Sequence, residues 1–258
     1  MVHMQFNLKS VKVQLTVFLA GFGAYLIVTG NDRDFLLSLL LAVVLAVAFE
    51  AALLFVTRKK VTVSESAVVT GFILGFVLTA DQRNWLGIYA AAACFAIASK
   101  HIICFKGKHI FNPAAFGIVL AMFFFNAQTA WKGTYLWYVL LPAGFYFVYK
   151  MRKFEVLLGY GVAALSIFAV QALAQGSGLA NIFGYLSYFF IAIMLIEPKT
   201  TPMTQMGKVV FGIIAAILIF IFNNAGIKCD AELSGLLLAN MAVPVLNKLK
   251  GRQGIKAK

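Results

Sequence analysis

Four short stretches carry the residues that could do chemistry. In the first, Asn112-Pro113-Ala114-Ala115-Phe116-Gly117 opens a short apolar run. Proline suits the first position of a helix, and asparagine is a good cap before it. The stretch reads either as ordinary helix initiation at a membrane surface or as a half-helix. The N-terminus of such a half-helix would turn partial positive charge and free N–H groups toward an anionic or polar ligand. In the second, Glu197-Pro198-Lys199-Thr200-Thr201-Pro202-Met203-Thr204 follows the apolar run Ile191–Ile196, and two prolines within five residues forbid a regular helix. It is either a solvated loop or a re-entrant polar turn, whose three threonine hydroxyls suit ribityl, phosphate or quinone oxygens. In the third, Ser64-Glu65-Ser66 leads into Ala67-Val68-Val69-Thr70-Gly71. Gly71 and Gly75 permit close backbone packing, and Thr70 and Thr79 can bond within the helix or to a ligand. The fourth is Glu50, inside the apolar run Phe35–Val56. An intramembrane carboxylate is costly and a functional candidate by default; the plainer reading pairs it with Arg58 or Lys59 at the helix end.

Other chemistries lack their residues. There is no Walker loop, dinucleotide fingerprint, His-Glu-x-x-His or nucleophile elbow. The three histidines (His3, His101, His109) lie outside span interiors, which argues against bis-His haem. Cys94, Cys104 and Cys229 form no Cys-x-x-Cys pair, so neither a disulfide framework nor a zinc site is expected. Cys94 reads as a small helix side chain. Cys104, at a basic loop that would stabilise a thiolate, keeps a minor reactive reading.

The elements that must position these residues are set by lipid. The 258 residues are 62% hydrophobic and 12% charged, too little polar surface to cover a water-exposed globule. A straight span needs about 20 apolar residues. Ten runs qualify in order: 11–29, 35–56, 67–80, 85–99, 111–125, 135–149, 155–174, 182–196, 209–223 and 233–247. Several are too short to cross alone, 67–80 and 111–125 most clearly. No cleavage site follows the first run, so it is expected to be a span rather than a signal. The net charge of +13 reads as topology, not nucleic-acid binding. With the N-terminus inside, 18 of the 22 Lys and Arg fall in inside segments, and only Arg33, Arg83, Lys132 and Lys228 fall outside. The expectation is one polytopic domain over 1–258, with tails 1–10 and 248–258 in the cytoplasm, in the inner (cytoplasmic) membrane. A short Gly/Thr-rich run followed by Asn112-Pro113 is echoed by 185–202 followed by Asn240 and Pro244. This hints at two five-span repeats, which with odd span counts would be inverted.

At these residues the chain resembles a membrane protein family shared by two ion-translocating electron-transport complexes. Its members are the D component of the Rnf complex and the B component of the sodium-pumping NADH:quinone oxidoreductase. The stretches that carry the resemblance are Ser66–Gly71 through Leu78-Thr79, Ser99-Lys100-His101 leading into Ile110–Ala114, Met194–Pro202 with Gly207-Lys208, and Leu238–Pro244. They stand in the family's order over residues 60 to 250. The resemblance implies an all-α fold of ten transmembrane helices in two inverted five-helix repeats, urea-transporter-like, with short or broken helices at the centre. It also implies flavin-dependent electron transfer. In the family an FMN is joined to a threonine of a Ser-Gly/Thr-Ala-Thr motif after the Asn-Pro-Ala helix. Here the corresponding loop is only Asn126-Ala127-Gln128-Thr129-Ala130-Trp131-Lys132-Gly133-Thr134, with no such motif. Covalent FMN is therefore not expected, and a non-covalent flavin (riboflavin or FMN) between the repeats is. The polar contacts expected for it are Thr70, Lys100, Asn112, Thr200, Thr201 and Asn240; no metal site is expected.

Three functions follow. The first is a membrane subunit of an ion-coupled, flavin-dependent electron-transport complex, a subunit rather than an enzyme alone. Its partners would be other membrane subunits or a soluble reductase docked on the basic inside loops. The second is a transporter or channel for a small polar solute or flavin, which rests on architecture. The third is a scaffold that only anchors partners.

Overall fold

A computed structural model describes residues 10–30, 32–59, 64–79, 84–105, 107–176 and 178–249. Residues 1–9 and 250–258 of the tails, and Lys60, Arg83 and Lys106 among the charges used for topology, lie outside the described residues. The chain read as a single membrane domain is built of two compact units: residues 1–104 with 113–133, and residues 105–112 with 134–258.

All ten apolar runs have structural counterparts. Unit 1 holds α1 (Val11–Gly30), α2 (Arg33–Val56), α3 (Glu65–Val77), α4 (Trp85–Ile102) and α5 (Pro113–Phe125). Unit 2 holds α6 (Trp137–Met151), α7 (Phe154–Ala174), α8 (Gln205–Asn224) and α9 (Ala231–Leu246). Between α7 and α8 lie a 3-10 helix, Leu179–Tyr185, and a π-helical turn, Phe190–Met194. Among the described residues, five helices (α1, α2, α4, α7 and α8) are long and apolar enough to cross a membrane.

α3 and α5 have 13 residues each, about 20 Å of helix against a hydrocarbon core of about 30 Å. A helix that stops at that depth exposes its last carbonyls, which lipid cannot satisfy. Unit 1 solves this with extended chain. The strands β1 (Leu78–Thr79) and β4 (Gln128–Thr129) pair antiparallel, Leu78 opposite Thr129. The N–H groups of Lys132 and Ala130 donate to the Phe76 and Val77 carbonyls, both at 2.8 Å. The Tyr89 hydroxyl donates to the Leu78 carbonyl at 2.7 Å. Residues 126–134, expected as a plain outside loop, thus supply the strand that closes the end of α3. A second short pair, β2 (Cys104–Phe105) and β3 (Lys108–His109), precedes α5.

Close helix contacts fall where a Cβ is missing. At Gly71 an added Cβ would lie 2.5 Å from the Val43 Cα of α2, as the Gly71/Gly75 spacing anticipated. A Cβ at Gly117 of α5 would lie 2.2 Å from the Ala92 carbonyl of α4, and at Gly159 of α7 2.1 Å from the Val209 carbonyl of α8. Within unit 1, α1 packs on α3, α2 on α4 and α4 on α5. Within unit 2, α6 packs on the π turn, α7 on α8 and α8 on α9.

The run 182–196 is not the regular helix its composition suggests. The Leu195 N–H donates to the Phe190 carbonyl, a five-residue step, at 3.0 Å. Pro198 and Pro202 then prevent any helical continuation. Phe189 through Ile196 are all buried, so the irregular backbone is enclosed by protein rather than lipid.

Candidate functional site

Four of the six expected contact residues meet in unit 2. Asn240 stands in α9, fully buried. Its Oδ1 accepts the backbone N–H of Asn112 at 2.9 Å, and its Nδ2 donates to the Thr200 carbonyl at 3.0 Å. One amide thus holds the residue before α5 and the turn after the π segment, 128 and 40 residues away. Thr200 and Thr201 are buried, which rules out the fully solvated loop. Their hydroxyls turn back onto Glu197: Thr201 Oγ1 donates to its carbonyl at 2.9 Å, and Thr200 Oγ1 lies 3.4 Å from its Oε2. Glu197 in turn meets His109 Nε2 at 3.2 Å. Glu197 belonged to a motif already singled out, but His109, buried before Asn112, gave no signal beyond its place ahead of an apolar run.

Beside this network is a cavity of about 520 Å³. Its apolar wall is Val243, Pro244 and Val245 of α9 with Ile110; its polar groups include Thr201 and Asn240. Pro244 has no N–H to return to the Asn240 carbonyl, so α9, though continuous, lacks that backbone bond where it lines the cavity. Lys108, Lys199 and Lys248 also line it.

The floor of unit 2 next to this cavity is basic. Thr204 caps α8, its Oγ1 accepting the Gly207 N–H at 3.2 Å. That brings Lys208, one turn on, to the Arg152 carbonyl at 2.8 Å and Glu155 at 3.0 Å. Lys153, before α7, is buried, and its Nζ donates to the Pro202 carbonyl at 3.2 Å. Burial and the neighbouring Lys208 and Lys108 ammoniums push its pKa down to about 7, against a smaller opposite pull from Glu155. Lys153 was counted only as a topological charge, and Lys208 as that and as part of the Gly207-Lys208 stretch of the resemblance; nothing in their sequence context marks them as buried.

The other two expected contacts lie in unit 1 and have other partners. Thr70 Oγ1 donates to the Ser66 carbonyl of its own helix at 2.8 Å. Lys100, expected in a loop, sits in the last turn of α4 and pairs with Glu50. Glu50 is buried and also takes the Ser64 hydroxyl, with His101 Nε2 at 3.4 Å. Lys100 Nζ reaches the Ser64 hydroxyl at 3.2 Å. The pairing expected with Arg58 or Lys59 is thus replaced by one with α4. A positive charge at the C-terminal end of α4 and a serine cap at the start of α3 each suit their helix dipole, so the carboxylate joins three helices.

Unit 1 has its own cavity, about 800 Å³, lined among others by Asp34, Ser38, Thr79, Trp85 and Tyr89. At its rim Lys132 and Asp32 form an ion pair at 2.8 Å. The Lys132 ammonium, and then the Phe35 N–H that Asp32 caps, hold the Asp32 carboxyl below its usual range. No cluster of three or more metal-ligating side chains occurs among the described residues. All three cysteines are free, and Cys94 and Cys104 are exposed.

Long apolar helices, half-length helices stopped by paired extended chain and polar networks within each unit define a multi-pass membrane protein. The chain belongs to the NQR2, RnfD, RnfE family, whose model matches residues 1–139 and 134–256. The chain is similar to proteins named as the D component of an ion-translocating oxidoreductase complex. The one from Actinobacillus succinogenes is 32% identical over 94 residues, 36% of this chain and 26% of the relative. That of Buchnera aphidicola is 39% identical over 61 residues, 24% of this chain and 16% of the relative. That of Vibrio atlanticus is 31% identical over 101 residues, 38% of this chain and 29% of the relative. Each match thus spans less than a third of the relative's own length.

Proposed function

We propose that this chain is a membrane subunit of an ion-translocating, flavin-dependent electron-transport complex of the Rnf type, and that it holds flavin non-covalently. The observation that carries this reading is that Thr201 and Asn240 line one cavity, with Asn112 and Thr200 hydrogen-bonded to Asn240, in a member of this family. The cavity's size fits a small cofactor, since ligand pockets run from about 300 to 1,000 Å³. Its chemistry fits as well: an apolar wall at Val243–Val245 suits the faces of a ring system, and lysines and amides suit its oxygens. Tethered FMN does not fit, because the short 126–134 loop carries no attachment motif and forms β4 instead.

In this reading Thr201 and Asn240 are the groups nearest the flavin, while Asn112 and Thr200 position Asn240. Thr70 and Lys100 shape unit 1 and take no part in binding. A bound flavin supplies electron transfer; the chain supplies orientation, a dry wall and electrostatics. The two units form inverted five-segment repeats of a urea-transporter-like fold. The parallel order of packing within each unit and the break of the family match near residue 134 support a duplication, and the odd number of segments in each argues for inversion. Both termini face the cytoplasm of the inner-membrane host, as the lysine and arginine distribution argues. The partners are other membrane subunits of the complex, or a soluble reductase that docks on the basic inner loops.

The test is the visible spectrum of protein purified in mild detergent, followed by reconstitution with riboflavin and FMN. Flavin absorption in proportion to protein is expected, and a colourless preparation that takes up neither refutes the reading. The polar 800 Å³ cavity of unit 1 favours a second reading, a pathway for a small polar solute. Flux of urea, ammonium, sodium or flavin into proteoliposomes would favour it, and no flux would end it.

A further inference from the structure

The basic side chains of unit 2 divide into two groups. Lys150 lies over the Tyr146 ring, Lys153 donates to the Pro202 carbonyl and Lys208 pairs with Glu155. Lys108, Lys199 and Lys248 come from three separate segments, and all three line the cavity, which no carboxylate does. None of them meets a carboxylate among the described residues; Lys108 Nζ reaches the Met203 thioether at 3.4 Å, a weak acceptor. Glu197, two residues before Lys199, is engaged by His109. The three lysines are exposed, whereas Thr201 and Asn240 of the same cavity are buried. The lysines therefore form its rim. Asn247, also exposed, accepts the Met203 N–H through Oδ1 at 2.7 Å, which leaves its NH₂ as a further donor on the rim.

An apolar track starts at the same place. Leu238, Met241 and Val245 are exposed, and their spacing of three and then four puts them on one stripe of α9, roughly 10 Å long. Val245 lines the cavity itself, and the Lys248 N–H returns to the Val245 carbonyl at 2.9 Å, which fixes the lysine at the end of the stripe. The sequence that follows adds Lys250, Arg252, Lys256 and Lys258 and no acidic side chain. Basic clusters directly after a membrane helix, and basic pockets between such helices, attract anionic lipid headgroups. A free phosphate would satisfy the ammonium groups but make no use of the stripe. A zwitterionic lipid would match the stripe but bring a cation to a rim without a carboxylate.

We infer that the rim of the unit 2 cavity is a binding site for one anionic phospholipid. Lys108, Lys199, Lys248 and the Asn247 amide hold its phosphate, and an acyl chain lies along Leu238, Met241 and Val245 of α9. The site goes beyond the flavin reading, whose nearest groups are the buried Thr201 and Asn240, and does not depend on it.

The test titrates the full-length chain, delipidated in detergent, with phosphatidylglycerol and with phosphatidylcholine, and counts bound lipid by native mass spectrometry. A lysine near an anionic headgroup contributes a factor of about five, so three set a ceiling of about a hundredfold and a preference of roughly tenfold or more is expected. One phosphatidylglycerol per chain should show it. K108Q/K199Q/K248Q should bind the two lipids about equally, with phosphatidylcholine binding and circular dichroism unchanged as the measure of an intact fold. R58Q/K59Q/K150Q, which removes three exposed basic groups elsewhere, should keep the preference. If the cavity variant does not fold, the single variants K108Q, K199Q and K248Q carry the test, each with a loss of phosphatidylglycerol affinity of about fivefold or less; unchanged affinity in all three overturns the site. Equal affinity of the native chain for the two lipids overturns the inference. So does a preference that survives in K108Q/K199Q/K248Q, or one that falls equally in both triple variants and so belongs to net charge alone. Displacement of phosphatidylglycerol by millimolar inorganic phosphate or by FMN would give the rim to a soluble phosphate and overturn the choice of a lipid. Flavin uptake is read separately, by absorption, so failure of the lipid site leaves that reading standing.

Discussion

The Glu50–Lys100 pair gives the sharpest perturbation. The Glu50 and Lys100 side chains are 4% and 9% exposed, so removal of either leaves a charge with little water. Truncation of one partner of a buried pair costs about 3–5 kcal/mol, whereas replacement of both by apolar groups is often neutral or stabilising. Glu50→Ala strands the Lys100 ammonium and takes the acceptor from Ser64 and His101. A loss in that range is expected. At roughly 2–4 °C per kcal/mol for a chain of this size, it corresponds to a melting temperature lower by on the order of 10 °C. Glu50→Leu with Lys100→Met should recover most of it, since the double variant leaves no orphan charge. Arg58→Gln should change stability by less than about 0.5 kcal/mol, as ordinary surface substitutions do. Thermal unfolding in detergent micelles, followed by circular dichroism at one detergent concentration, measures all three. Three results would refute the reasoning: a Glu50→Ala variant within about 1 kcal/mol of the native chain, a double variant as unstable as the single one, or an Arg58→Gln loss equal to that of Glu50→Ala.

Other expectations follow from the same geometry. Asn240→Ala leaves the Asn112 N–H and the Thr200 carbonyl without their partner; at about 1–3 kcal/mol per unsatisfied buried group, denaturant titration should show a loss of several kcal/mol. Gly159→Ala forces a Cβ to within 2.1 Å of the Val209 carbonyl, while Gly161, two residues on in α7, has open space. The first should destabilise by about 1–3 kcal/mol and Gly161→Ala should be neutral or slightly stabilising, a contrast readable in melting temperature. Lys153 gives a pH signature. Its pKa is lowered on folding from 10.5 to about 7, so between those values the unfolded chain holds the extra proton. Stability should then rise with pH across that window by up to about 1.4 kcal/mol per unit from this group. Lys153→Met should flatten that part of the pH–stability curve.

The membrane-spanning plan was readable because it rests on local quantities. Apolar run length placed α1, α2, α4 and α7 to within a few residues, and the shortness of 67–80 and 111–125 marked the half-helices α3 and α5. Asn112, Thr200, Thr201 and Asn240 were legible as polar or helix-breaking residues at the edges of such runs. What they do was not. Asn240 does line the cavity, but its amide also ties Asn112 to Thr200, contacts that no local pattern encodes. Glu50 shows the same limit: Arg58 and Lys59 are its neighbours in sequence, but Lys100 is its partner because α2 packs on α4. The π turn at Phe190–Met194 and the β1–β4 pair were hidden because both answer a tertiary need, the satisfaction of backbone groups where a helix cannot continue. Lys153 was hidden because a basic loop residue reads as solvated until its burial is known.

The central claim is that the cavity walled by Asn240 holds a flavin. Its most direct test is flavin titration of the purified chain, native and carrying Asn240→Leu, with Thr70→Ala as a unit 1 control. Saturable uptake of one flavin per chain is predicted for the native protein and for Thr70→Ala, and at least tenfold weaker uptake for Asn240→Leu. Undiminished uptake by Asn240→Leu, or loss of uptake on Thr70→Ala alone, would contradict it.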